Sequence, residues 1–336
     1  MDNRTDNTVI STRVRLARNV SGYLFPIKLD AKRAEELTGR VYGALTASAM
    51  YDIYKMSRLK PVESEALMER HLISKDLIAG KDRGSVILNA DHTVSIMVNE
   101  EDHIRAQCIL PGLCPERAYK TVSAVDDCIG AALPYSFNDK LGYLTSCPTN
   151  LGTGMRASVM MFLPGLTITK SLGNSISAVG RLNMTVRGVY GEGSAADGYI
   201  YQISNQISLG YSESEILKMV DTAAGHILET ELKARDILYE NRREELTDEI
   251  LRAYGIAAHA HLLSCDETFK LIALIKLGAY YGIIKVSDPA ALDRAVAETQ
   301  PAGLILSGET PYASNTERFA ARARIIKNTL KRVSAV

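Results

Sequence analysis

The stretch CPTNLGTGMRASVMMFLP, residues 147–164, sets a thiol, turn-forming residues, two glycines and one arginine ahead of an apolar run. That mixture is odd for a purely structural loop. Gly152 and Gly154 allow a close approach of backbone that other residues forbid. The run after Arg156 reads as a buried segment, so the thiol and the guanidinium stand at its mouth.

Working outward, strand-like stretches surround it: SVILNA (85–90), TVSIMVN (93–99), IRAQCIL (104–110) and LNMTVRGVY (182–190). YIYQISNQISLG (199–210) alternates apolar and polar residues, as a half-buried strand should. Short loops between strands favour an α+β fold, an antiparallel sheet flanked by helices. A helix is expected after the N-cap Asp30, through AKRAEELTGRVYGALTASAM. From about residue 211 the pattern turns helical. Ser212 and Glu215 have capping-box spacing, opening a helix to about Arg243; Ser264 and Glu267 repeat it, and Pro289 follows Asp288 at a first helical position. The expected organisation is a catalytic domain over 8–234 and a helical domain over 235–336.

With Lys+Arg and Asp+Glu both at 39, the chain lacks the basic excess of a general nucleic-acid or membrane-surface binder. Its 336 residues, 46% hydrophobic, suffice for one large or two ordinary cores. MDNRTDNTVI is no secretory signal, and no apolar run reaches membrane-spanning length. The five cysteines form no CxxC pair, which argues against structural zinc and for reduced thiols in the cytoplasm. Cys147 apart, most are expected to be small buried apolar residues.

Five local clusters carry candidate chemistry. STRVRLARN (11–19) puts Arg13 and Arg15 on one side of an extended segment. VNEEDHIR (98–105) offers Glu100, Glu101, Asp102 and His103 before Arg105; the opening stretch supplies Arg156. RGVYGEGSAADG (187–198) carries Arg187 and Glu192, and ERHLIS holds His71. Singly, each has an ordinary explanation: solvated arginines, a polar hairpin tip, a packed histidine. Together, arginines at several strand ends suit a polyphosphate, each guanidinium giving a planar fork of donors. No Walker sequence and no protein-kinase HRD or DFG order is present, so an arginine clamp is the physical route to binding ATP.

CPTNLGTG, NEEDH and STRVRLARN, in that family's chain order, resemble the ATP:guanidino phosphotransferases, the phosphagen kinase family. RASVMMFLP, RGVYGEGS and YQISNQISLG are most similar to its bacterial protein-arginine kinase branch. The resemblance implies a phosphagen kinase/glutamine synthetase-like catalytic domain, with ATP and Mg²⁺ as cofactors, the ion carried on the nucleotide. It implies that Arg13, Arg15, Arg105, Arg156 and Arg187 surround the phosphates. The nucleotide site would be Ser11, Thr12, Arg13, Val14 and Arg15; Arg156, Ala157, Ser158, Val159 and Met160; and Arg187, Gly188, Val189, Tyr190, Gly191 and Glu192. His71 would lie beside the adenine. Glu101 would act as base, Glu192 as second carboxylate, and Cys147 would sit near the acceptor guanidinium.

Small-guanidine kinases carry a helical domain of roughly a hundred residues before the SxRVR segment. Here that segment begins at Ser11, so an acceptor site open to polypeptide arginine is expected. The helical tail resembles the branch's dimerisation and regulatory domain, which reads phosphoarginine through RDxxRA. Arg318 and Arg322 match its arginines, with Phe319 in place of the acid. The resemblance also implies a homodimer, an McsA adaptor, the ClpC unfoldase with ClpP, and the CtsR repressor, in a cytoplasmic stress response. The alternatives are a free-arginine kinase of the same fold and a catalytically silent arginine- or phosphoarginine-binding module.

Overall fold

A computed structural model describes residues 8–47, 49–189, 197–308, 312 and 314–335. The strands are β1 (Val9–Arg18), β2 (Tyr51–Lys55), β3 (Ser85–Asn89), β4 (Val94–Val98), β5 (Ile104–Pro111), β6 (Phe137–Asn138), β7 (Gly142–Tyr143), β8 (Met155–Phe162), β9 (Met184–Gly188), β10 (Ile200–Asn205), β11 (Ile284–Val286) and β12 (Val333–Ala335). The helices are α1 (Ala31–Thr46), α2 (Pro61–Glu69), α3 (Lys75–Ala79), α4 (Pro115–Ala132), α5 (Pro164–Ile168), α6 (Leu172–Gly180), α7 (Glu213–Asn241), α8 (Arg243–His259), α9 (Cys265–Tyr280), α10 (Pro289–Glu298), α11 (Pro301–Ser307) and α12 (Asn315–Leu330).

Eight strands form one antiparallel sheet in the order β2-β3-β4-β5-β1-β8-β10-β9. The first strand is thus central, between β5 and β8. Because side chains alternate, each strand sends one set of residues to each face. Val14, Leu16, Ala106, Cys108, Ala157, Val159 and Ile203 go to one face and are buried against α1, α4 and α7. The other face, over β5, β1, β8 and β10, carries the polar set. A smaller apolar cluster, including Leu72, Ile73, Leu77, Val86 and Met97, fixes the α2–α3 segment near β3 and β4.

Local signals set several boundaries. Asp30 accepts from the Arg33 N–H, and Ser212 with Glu215 closes a reciprocal capping box. Ser264 accepts from the Glu267 N–H at the start of α9. The stretch after Asp288 is not helical throughout: β12 leaves the helix run and pairs antiparallel with β11. Only Cys108 is buried; Cys114, Cys128, Cys147 and Cys265 are partly exposed, because each lies at a helix end, on a helix flank or in a loop rather than inside the sheet.

Helix α7 runs unbroken past residue 234. Its earlier turns, including Ile216, Val220 and Ile227, pack under the sheet. Leu238 joins the second core, with Leu246, Ile250, Ile272 and Ile326. Between them lies a fully buried ion pair, Glu231 with Arg235 Nε at 2.6 Å. Glu231 also accepts from the Gly165 and Leu166 N–H groups at 2.8 and 2.9 Å, and Arg235 Nη2 donates to the Phe162 carbonyl. The pair therefore satisfies the start of α5 and the end of β8 at once. Glu231→Ala would strand the Arg235 charge and is expected to cost roughly 3–5 kcal/mol in urea unfolding.

Candidate active site

Antiparallel register assembles the arginines. Arg15 of β1 lies opposite Arg156 of β8, and Arg13 lies opposite Ser158. On the other flank, Arg15 pairs with Gln107 and Ala17 with Arg105. Gln202 of β10 lies opposite both Met160 and Arg187, which carries the same face out to β9. Directly opposed residues share a face, so Arg13, Arg15, Arg105, Arg156 and Arg187 all emerge on one side of one sheet.

Arg15, Arg105 and Arg156 meet Glu101, Cys147, Thr149 and Asn150 around a cavity of about 170 Å³. A smaller recess of about 20 Å³ adjoins Arg13, lined by His71, Ser158, Met160 and Gln202. Burial together with the neighbouring guanidiniums of Arg156 and Arg105 lowers Arg13 to about 10. Burial, then Arg13, Arg105 and Arg156, pushes Arg15 well below the usual arginine range. Arg156 is lowered by burial and by Arg187 and Arg105. These cations repel one another in a concave, poorly hydrated place, which is the electrostatic signature of an anion site.

Polar neighbours aim the guanidiniums. Arg13 Nη2 donates to Gln202 Oε1 at 2.9 Å, and Arg156 Nη2 donates to Ser204 Oγ at 3.1 Å. Arg105 is forked between two carboxylates, Glu100 and Glu101, at 2.7 Å each. The Glu100 side chain is fully buried; it also accepts from the Ser74 hydroxyl and from the Glu101 N–H. Glu101 is the more accessible of the two, and burial lifts its pKa despite the opposing pull of Arg105. Arg105 thus holds the expected base in an ion pair.

The loop bearing Glu101 and the loop bearing Cys147 are tied through Asp102. Its Oδ1 accepts from Asn19 Nδ2 at 2.6 Å and from the Ser146 N–H at 2.7 Å. His103 Nδ1 accepts from the Val20 N–H, so Nε2 carries the proton and donates to the Leu24 carbonyl. Cys147 Sγ lies 3.0 Å from Thr149 Oγ1. Behind the thiol, the glycines allow contacts a side chain would block. Gly154 has φ +64°, and a Cβ there would fall 2.5 Å from the Ala17 carbonyl oxygen. One at Gly152 would fall 2.7 Å from Ser208 O.

His71 follows α2 at φ 60°, a left-handed conformation costing a non-glycine residue roughly 1–2 kcal/mol. Its neighbours form a Schellman cap: the His71 N–H donates to Met68 O and the Leu72 N–H to Leu67 O. The conformation sends the imidazole to the recess beside Arg13, where burial and Arg13 lower its pKa to about 4. It is therefore neutral at physiological pH.

Not every expected position points inward. Thr12, Val14, Ala157 and Val159 turn to the buried face, while Ser11, Ser158 and Met160 line the recess. Gly188 ends β9, with Val189 next along the chain. Tyr190, Gly191 and Glu192 lie outside the described residues. Arg318 and Arg322 stand one turn apart on α12, away from this site. Arg322 is buried and donates to the Thr299 and Leu263 carbonyls; Arg318 is partly exposed and donates to Asn315. Sequence reasoning missed Gln202, Ser204 and Ser74. The first two were in reach, since they fall in phase on an alternating strand with Arg187 opposite.

Residues 33–234 match the family model of the ATP:guanido phosphotransferase C-terminal catalytic domain. The chain belongs to the ATP:guanido phosphotransferase family. Residues 243–336 match a second model, the protein-arginine kinase McsB C-terminal domain. The chain is 45% identical over 303 residues to the protein-arginine kinase of Caldanaerobacter subterraneus subsp. tengcongensis, covering 89% of this chain and 90% of that relative. It is 42% identical over 335 residues to that of Pelotomaculum thermopropionicum, covering 97% and 93%. Among solved structures, a lombricine kinase superposes with TM-score 0.60 at 26% identity, covering 68% of this chain and 67% of the other. A duplicated taurocyamine kinase from Schistosoma mansoni gives TM-score 0.61 at 27% identity, covering 77% and 35%. The family uses ATP, and the α+β reading with an antiparallel sheet agrees with these relatives. Among the described residues, no helix is long and apolar enough to cross a membrane.

The crowding of guanidiniums opposes folding and favours phosphate binding, so the two should separate on mutation. Arg15→Met is expected to raise the melting temperature of the nucleotide-free protein by about 1–4 °C. The same variant should lose most of the further rise that ATP gives the parent, read by differential scanning calorimetry.

Proposed function

We propose that the chain is an ATP-dependent protein-arginine kinase, moving the γ-phosphoryl group of ATP to an arginine side chain in a polypeptide. One observation carries this reading: Arg15, Arg105 and Arg156 share a single cavity with Glu101 and Cys147. Permanent cations suit the triphosphate, and a carboxylate beside them suits a guanidinium acceptor. The matched C-terminal domain and the names of the relatives support a protein acceptor.

In this mechanism Arg13, Arg15, Arg105, Arg156 and Arg187 align the phosphates and neutralise charge as phosphoryl moves. Neutral His71 offers a flat surface at the Arg13 end for the base. A guanidinium nitrogen attacks the γ-phosphorus, an N–P bond forms, the bond to the β-phosphate bridging oxygen breaks, and ADP leaves. The nitrogen loses a proton, which Glu101 accepts; a base with a raised pKa suits that task. Glu192 would be the second carboxylate, and Cys147 would lie against the acceptor group. The arginines offer only donors, so they fit phosphate oxygens; Mg²⁺ bound to the nucleotide would add further charge neutralisation there. The proposal includes as partners a second copy of the chain, an McsA-type adaptor, ClpC with ClpP, and CtsR, in protein quality control in the cytoplasm.

The decisive measurement is acid-labile, base-stable phosphate on proteins incubated with this chain and ATP. Absence of such phosphate on a wide set of unfolded and basic proteins would remove the proposal, and phosphate on free L-arginine alone would replace it. Glu101→Gln should lower turnover about 10²–10⁴-fold while ATP affinity, measured by calorimetry, stays near the parent's. As pH falls through the raised Glu101 pKa, the base is protonated and kcat/KM should decline, the midpoint shifted upward by burial. An acid limb unchanged in the Glu101→Gln variant's residual activity would assign that ionisation elsewhere.

A further inference from the structure

One long-range polar contact joins the nucleotide edge of the site to the helical C-terminal region. Glu69, the last residue of α2, places one carboxylate oxygen on the Ala302 N–H and the other on the Gly303 N–H, each at 2.8 Å. These amides open α11, where N–H groups lack partners within their own helix. Helices α2 and α11 also pack against one another, and beside them a cavity of about 750 Å³ opens toward α10, lined by Leu67, Arg70, His92, Arg294 and Leu306. The carboxylate is therefore a firm polar tie within that packed junction, beside its cavity.

Two residues after that tie comes His71. The cap that turns His71 toward Arg13 uses carbonyls of the last turn of α2, Leu67 and Met68. The next segment is pinned to the sheet, since Gln107 Nε2 donates to the His71 carbonyl and Ser95 Oγ to the Leu72 carbonyl. A displacement of the end of α2 has little slack before it reaches the imidazole.

We propose that Glu69 is a positioning residue that couples the helical C-terminal region to nucleotide binding, acting through His71. The inference rests on the arginine-lined face being an ATP site. Glu69→Gln is nearly isosteric but turns an amide toward one of the two N–H donors. In the full-length protein it should weaken ATP binding about fivefold or more, with KM for a protein acceptor unchanged. On a His71→Ala background the same substitution should add less than about twofold, because the two residues act in one chain of contacts. By reciprocity, ATP should slow amide exchange at Ala302 and Gly303 in the unmutated protein, a measurement that needs no variant to fold. Unchanged ATP affinity in Glu69→Gln, an equal loss on both backgrounds, a parallel loss of acceptor affinity, or unchanged exchange at those amides would each overturn it. A parent protein that binds no ATP would overturn the nucleotide site itself; a parent that binds while Glu69→Gln matches it would overturn this coupling alone.

Discussion

Arg15 and Arg156 are direct cross-strand partners, and like charges in that relation oppose pairing. The register holds because the reverse of the same strands is apolar: Val14, Leu16, Ala157 and Val159 are essentially inaccessible to solvent. Burying each such larger side chain contributes about 1.5–3 kcal/mol, against about 0.2–1 kcal/mol for an unfavourable cross-strand pair. A slip by one residue would exchange the faces and forfeit that apolar burial, which outweighs the repulsion it would relieve. The guanidiniums are thus pressed together by side chains that never touch a ligand.

Fixed geometry also governs the loops. Asp102 joins two connections that rise from different strands, so the carboxylate of Glu101 and the thiol of Cys147 are held relative to one another by a residue between them. Arg18 reinforces the floor. It pairs with Asp126 at 2.8 Å, donates to the Ala17 and Thr153 carbonyls, and stacks 3.6 Å from the Tyr143 ring centre. Geometry set in advance by such contacts leaves less reorganisation for the moment of reaction.

What could be read from the chain beforehand follows from the range of the interactions involved. Asp30 and the pair Ser212 and Glu215 announce helix starts because a cap is decided within four residues. Arg13 and Arg15 share a side because a strand has period two. The strand order could not be read: β1 is central because β5 and β8 both find it, and pairing partners leave no local mark. For the same reason Ser74 meeting Glu100, and Glu69 meeting Ala302, were invisible. His71 at positive φ defied expectation, since that position after a helix usually falls to glycine. Cys114, Cys128 and Cys265 proved less buried than their apolar character suggested, as a thiol's position depends on what packs over it. In the tail, β11 and β12 are three residues each, too brief to break a helical pattern visibly.

Helix α7 spans 29 residues, about 43 Å of continuous rod. It roots in the core beneath the sheet and delivers its far end into the second core, with a buried ion pair at the crossing point. No swivelling linker separates these two bodies along that path. Reorientation between them would have to flex the rod or shear its packing, so small angular changes at one end reappear as larger translations at the other, as with a stiff beam clamped at its base.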